Sequence, residues 1–278
     1  MRTSMGSHST RRVTARHDLP RRQLGLTLVE IMVSLTIGLI VLAAIGSVYL
    51  GSRQTYRVQE DNARLQEAGR YALEVIGRSV RQAGADAEMS FNPVTGTPEC
   101  NVAGVCVPVA GTNGAASDTL IVQFYAGREE LNAGAWITRD CTGGVIASGN
   151  VVTNTFDLNG TDLRCTGGVG GAQPLVSDIE DLQIIYGIDT SGDQSANQYV
   201  AAPTAAQWLQ VVTARVCVQI RSANNGLAVT PQRFMNCAGA LGTAVGAGAF
   251  TAAAAGDLRL HRSFVATYNL RNRINGAP

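Results

Sequence analysis

The feature that most limits what this chain can fold into is an apolar run from Leu26 to Leu50, LTLVEIMVSLTIGLIVLAAIGSVYL. About 25 helical residues reach roughly 37 Å, enough to cross the hydrocarbon of a bilayer. A single charge, Glu30, lies inside the run. A carboxylate at mid-membrane costs on the order of 3 kcal/mol, so Glu30 needs either the interface or a partner. Its place near the start of the run is where that cost is smallest. Ahead of it Arg2, Arg11, Arg12, Arg16, Arg21 and Arg22 stand against one acid, Asp18, an asymmetry that the overall net charge of +1 conceals. Basic flanks stay in the cytoplasm, which sets the helix with its N-terminus inside and sends the rest of the chain out.

The helical period continues past the apolar run. Val58, Leu65, Leu73, Ile76, Val80 and Ala83 fall on one stripe, while most arginines and acids between Arg53 and Arg81 take the other faces. The pattern predicts a leader over residues 1–25 and one long helix over 26–84. Its 26–50 part is transmembrane and its 51–84 part an amphipathic stem. Arg57 with Asp61 and Arg70 with Glu74 have the i, i+4 spacing of ion pairs, each contributing a few tenths of a kcal/mol. An ordinary secretory signal is the alternative, with Ile31 to Ile45 as its apolar region and Ala44-Ile45-Gly46 as a small-x-small cleavage site. The long basic leader, the acid at the front of the run and the helix that follows argue against it.

After Gly84, Gly, Pro, Asn and Thr become frequent, marking a globular domain over residues 85–278. Strand-like runs recur at Thr119–Tyr125, Val151–Phe156, Leu182–Ile188, Val211–Ile220 and Leu258–Tyr268, and the alternation from Arg215 onward predicts a half-buried strand. A helix followed by strands predicts an α+β fold with a mainly antiparallel sheet packed on the stem. The stretch from Ala238 to Gly256, mostly Ala and Gly, reads as a flexible surface loop. All six cysteines, Cys100, Cys106, Cys141, Cys165, Cys217 and Cys237, fall in this exported part, where oxidation can join them. Six cysteines admit many pairings. Their order suggests three local loops, Cys100 with Cys106, Cys141 with Cys165 and Cys217 with Cys237.

Catalytic residue types are scarce. The chain has no lysine, and His261 is the one histidine beyond residue 25, expected to face solvent on a strand. That is a poor set for acid-base or nucleophilic chemistry near neutral pH, so no catalytic residue is assigned. The cysteines lack the paired C-x-x-C spacing of a structural zinc site. In Asp189-Thr190-Ser191-Gly192-Asp193-Gln194-Ser195-Ala196-Asn197, the oxygens of Asp189, Ser191 and Asp193 are candidate Ca²⁺ ligands. Gln194 stands where a calcium loop needs Gly and Val200 where it needs an acid, so a polar β-turn is the competing reading. Arginines in the exported part are scattered and outnumbered by acids, which argues against nucleic-acid binding.

Arg21-Arg22-Gln23-Leu24-Gly25 followed by Leu26-Thr27-Leu28-Val29-Glu30 resembles the class III signal of type IV prepilins, with Leu26 where Phe is usual. The resemblance implies cleavage between Gly25 and Leu26 by a prepilin peptidase that methylates the new N-terminus. It also implies that Glu30 pairs with the terminal amine of a neighbouring subunit. The segments from Ser52 to Glu60, Ala63 to Leu73, Ser117 to Leu120, Val176 to Gln183, Tyr186 to Asp189 and Leu270 to Arg273 resemble PilW-type minor pilins. This implies a type IV pilin-like fold and a structural, non-enzymatic role in pilus assembly, in an initiation or tip complex. The implied partners are other minor pilins, the major pilin and the inner-membrane assembly platform. The implied location is the bacterial inner membrane, with the domain in the periplasm and later at the cell surface. A type II secretion pseudopilin and a ligand-binding or adhesive pilin are the rival readings.

Overall fold

The computed structural model describes residues 25–85 and 107–274. The leader through residue 24 and the expected Cys100–Cys106 loop lie outside the described residues. Helix α1 runs from Leu28 to Gln82. The chain divides into two units, one up to Ser52 and one from Arg53 onward.

In the first unit the helix starts because Thr27 caps it. The Thr27 hydroxyl accepts the Glu30 N–H at 3.3 Å and the Thr27 carbonyl accepts the Ile31 N–H at 3.2 Å. Along the apolar run the hydroxyls of Ser34, Thr36 and Ser47 bond back to the carbonyls of Glu30, Val33 and Ala44. Each of these three hydroxyls is thereby satisfied within the helix, as a hydrocarbon environment would require. The segment is long and apolar enough to span a membrane, and its side chains are not buried within the protein.

The second unit holds the stem and the sheets. Strands β1 (Val109–Thr112) and β2 (Thr119–Tyr125) are followed by β3 (Glu130–Asn132), β4 (Ala135–Arg139) and β5 (Val145–Ala147). Next come β6 (Val151–Asn159), β7 (Asp162–Thr166), β8 (Gln173–Val176), β9 (Ile179–Ile188) and β10 (Gln198–Val200). After α2 (Ala205–Trp208) lie β11 (Val211–Arg221), β12 (Arg233–Met235) and α3 (Cys237–Leu241). The chain closes with β13 (Phe250–Ala252), β14 (His261–Asn269) and α4 (Arg271–Ile274). Every described pairing is antiparallel. One sheet has the order β1-β2-β6-β7-β8 and another β10-β9-β11-β14, with smaller β3-β4-β5 and β12-β13 sheets beside them.

The core forms where the stem stripe meets both larger sheets. Leu65, Ala72, Ile76, Val80 and Ala83 of α1 join Leu120, Val122, Phe124, Val152, Phe156, Leu182, Ile184, Val216 and Val218. Two glycines on the stripe bring backbone against aromatic rings. A Cβ at Gly69 would overlap the Phe264 ring, and one at Gly77 would overlap Tyr268. The Tyr268 hydroxyl donates to the Leu73 carbonyl at 2.6 Å. At the far end Asn272 caps the stem, its amide donating to the carbonyls of Gln82 and Ala83.

Several expectations are corrected here. Asp61 is buried rather than paired with Arg57, because position 61 shares the stripe with Val58 and Leu65; its two oxygens accept from the Asn224 amide at 3.2 Å each. Arg70 pairs with Glu67 instead of Glu74, which lies nearer Arg81 and Arg78. Strand β11 is buried on both faces, not one. Ala214, Val216, Val218 and Ile220 face the stem core, while Cys217 packs with Ile185, Cys237 and Leu241 in a second small core.

The Ala-Gly stretch is ordered too. Asn236 caps α3 by accepting the Gly239 N–H, and Gly242 closes it at φ 78°. Gly239 lies so close to Ala249 that a Cβ would overlap it. In this segment glycine serves close approach, and the composition alone suggested flexibility.

Candidate functional site

The residues singled out for processing and assembly gather at the start of α1. Gly25 and Leu26 precede the first helical turn, and Glu30 lies within that turn, three residues after its Thr27 cap. All three are exposed, as are Leu28, Val29, Ile31, Met32 and Leu35 beside them. An apolar helix end that carries one acid and no internal contact offers itself to lipid and to other helices.

The domain that this helix carries is held by polar staples that composition did not reveal. Within Ser117-Asp118-Thr119-Leu120, the Asp118 carboxylate accepts the N–H of Ile184 at 2.7 Å and of Gly114 at 3.0 Å. The Asp118 N–H donates to the Leu182 carbonyl, and the Ser117 hydroxyl bonds the same carbonyl. This segment therefore ties β2 to β9 across the two larger sheets. Burial raises the Asp118 pKa, and its two N–H donors only partly offset that.

Asp140 does the equivalent for the first disulfide. Its carboxylate accepts the N–H groups of Thr142, Gly144 and Val169 and the Thr142 hydroxyl. Burial pushes its pKa up, but these hydrogen bonds outweigh burial and hold it below the usual carboxylate value. Gly144 and Gly167 leave room for the carboxylate, since a Cβ at either would overlap it. The available signal was the repeated Cys-Thr-Gly-Gly at residues 141–144 and 165–168. The structure joins Cys141 to Cys165 and Cys217 to Cys237. The Cys141 N–H donates to Asn154, whose amide reaches Ser79 of the stem at 3.4 Å.

The Asp189–Asn197 segment closes on itself as a polar turn after β9. Asp189 Oδ1 accepts from the N–H of Ser191 and Gly192 and from the Ser191 hydroxyl, and Oδ2 accepts from the Gln194 N–H. Asp193 accepts the Ser195 N–H. Burial acts to raise the Asp189 pKa, yet its N–H donors prevail and lower it. The oxygens of Asp189, Ser191 and Asp193 are thus all within hydrogen-bonded loop geometry.

His261 does not face solvent. Its side chain is 2% exposed and its Nδ1 lies 2.8 Å from Glu180 Oε2. As the first residue of β14 it points inward, beneath Phe234 of the small β12–β13 sheet. A cover supplied from sequence so far away could not be read from alternation alone.

Residues 146–272 match the family model of Type IV Pilus-assembly protein W. Residues 20–46 match the Prokaryotic N-terminal methylation motif. Among solved structures, a type IV-like pilin from Thermus thermophilus is similar at a TM-score of 0.41 and 16% identity, over 75% of this chain and 98% of its own. No curated protein sequence matches the chain.

Proposed function

We propose that this chain, a PilW-like type IV pilin by its two family matches, is a minor structural subunit cut between Gly25 and Leu26 and assembled into the pilus through its N-terminal helix. The observation that carries this reading is a coincidence of position. The methylation-motif match over residues 20–46 contains the Gly25–Leu26 junction, and α1 begins only two residues beyond it. Cleavage there would leave an apolar helix that starts almost at its new terminus. The leader's arginines would hold that junction on the cytoplasmic side, within reach of a prepilin peptidase. The cysteine-bearing domain would then lie in the oxidising periplasm, which suits its disulfides.

After cleavage the new amine and the Glu30 carboxylate would sit about one helical turn apart at the membrane edge. Pairing each with the opposite charge of a neighbouring subunit would remove the membrane cost of both and favour docking side by side. Other minor pilins, the major pilin and the assembly platform of the inner membrane are the partners this reading requires. The assembly role in the matched family's name supports a place in the initiation or tip complex. No enzymatic step is assigned to it.

Replacing the carboxylate separates membrane retention from assembly. Glu30→Leu should be cleaved normally and retained in the membrane, while pilus number falls and the protein disappears from sheared filament fractions. Methylation of the new N-terminus is checked in the same sample by mass spectrometry. A fully processed Glu30→Leu chain that enters filaments at the parental level would refute the pairing role.

A further inference from the structure

One cluster of ligand-bearing side chains lies well outside the assembly helix. Glu180 belongs to β9, His261 opens β14 and Asp257 precedes it by four residues. Their donor atoms lie within 4.8 Å of one another. Phe234 stacks on the His261 ring at 4.5 Å and Nδ1 meets Glu180 Oε2 at 2.8 Å, while the residue's backbone N–H donates to Gln232 Oε1 at 3.0 Å. Glu180 Oε2 also accepts from Gln219 Nε2 at 3.1 Å. A carboxylate oxygen accepts only, so the ring proton belongs on Nδ1 and the lone pair on Nε2.

Nε2 is buried and has no hydrogen-bond partner among the described residues, on a residue that is only 9% exposed. The acid facing it is Asp257, whose Oδ2 is 3.6 Å away. That gap is too long for an N–H···O hydrogen bond. It suits two ligands of one ion, since donors at about 2.1 Å from a tetrahedral metal stand about 3.4 Å apart. A carboxylate on the far nitrogen of the imidazole is also the arrangement that orients a metal-binding histidine.

We propose that His261 Nε2 and Asp257 Oδ2 form a binding site for a divalent cation of the Zn²⁺ class, with Glu180 as the positioning residue behind the imidazole. The charges nearby fit. Asp178 and Glu180 both face Arg221, at 3.9 and 3.7 Å. Asp257 has no arginine ion pair among the described residues, and its Oδ1 accepts the Arg259 N–H at 3.1 Å. Its side chain is 20% exposed, so water can complete the coordination from that side. An imidazole ligand favours a borderline metal over Ca²⁺ or Mg²⁺. The bound ion would tie the turn at Asp257 to β14 and, through Glu180, to β9.

The test uses the full chain in detergent, stripped with chelator and titrated with ZnCl2. One Zn²⁺ per chain should be retained on dialysis, and the domain's Tm should rise by roughly 5–10 °C at a hundredfold excess over Kd. CaCl2 should give no shift. Glu180→Gln should keep the stoichiometry and weaken binding about 10- to 100-fold. Asp257→Asn and His261→Gln should each abolish the Zn²⁺-dependent shift; the Asn side-chain oxygen can still accept the Arg259 N–H, so Asp257→Asn keeps a folded domain in which that loss can be read. Failure to retain zinc overturns the proposal. So does retention that survives both substitutions, which would place the ion elsewhere, for example at His8 or His17.

Discussion

A chain carrying Cys217→Ala and Cys237→Ala is expected to lose about 3 kcal/mol of domain stability, seen as a lower denaturant midpoint than the parent's. The bridge closes a loop of 20 residues, for which chain entropy alone gives about that value. Burial adds to it. Both cysteines are fully buried beside Ile185 and Leu241, in a core that has few other members. Without the covalent link α3 would be held on β11 mainly by those side chains, by its Asn236 cap and by the bond from Arg215 to the Leu241 carbonyl. The loss should therefore appear first as amide-exchange deprotection of α3, with β2 and β6 still protected. Equal midpoints for parent and variant would show that the loop is ordered without the bridge.

Gly77→Ala should destabilise the domain by about 1–3 kcal/mol, the usual range for an overpacked core. The sign is the informative part. In an exposed helix interior the same change stabilises by up to about 1 kcal/mol, because Gly is the poorer helix former. Here the new Cβ overlaps a Tyr268 ring that cannot swing aside without breaking its 2.6 Å hydrogen bond to Leu73. Thermal melts of Gly77→Ala, Tyr268→Ala and the double variant test this. The double variant should be more stable than the sum of the two single losses predicts. A Gly77→Ala chain that melts higher than the parent would mean that the stem does not lie against β14 at this point.

How much of this could be read from sequence depended on how local the cause was. The helix over the apolar run was legible because hydropathy acts over neighbouring residues, and α1 begins within two residues of the expected start. β2 was legible at both its ends, Thr119 and Tyr125, because one face is buried and the residues alternate. β11 was found, but its second buried face was not, since α3 covers it from 20 residues further on.

The polar staples were hidden for a similar reason. Asp118 bonds Ile184, 66 residues away, and Asp140 bonds Val169, 29 residues away. An isolated acid in a loop carries no mark of such partners. Gly69 and Gly77 were passed over because a stripe is sought in large apolar residues, whereas this helix meets aromatic rings through its smallest ones. The Asp189 segment was visible as a polar cluster, and its fold is a turn whose acid takes up backbone N–H groups.

The central claim, that this chain is processed for pilus assembly at its N-terminal helix, is tested most directly by tandem mass spectrometry of the chain's N-terminal peptide, recovered from sheared filaments. The account predicts a chain that starts at Leu26 with a methylated amine and contains Glu30 unmodified. A chain that starts at Ser47, or one that still carries the leader through Gly25, would contradict it.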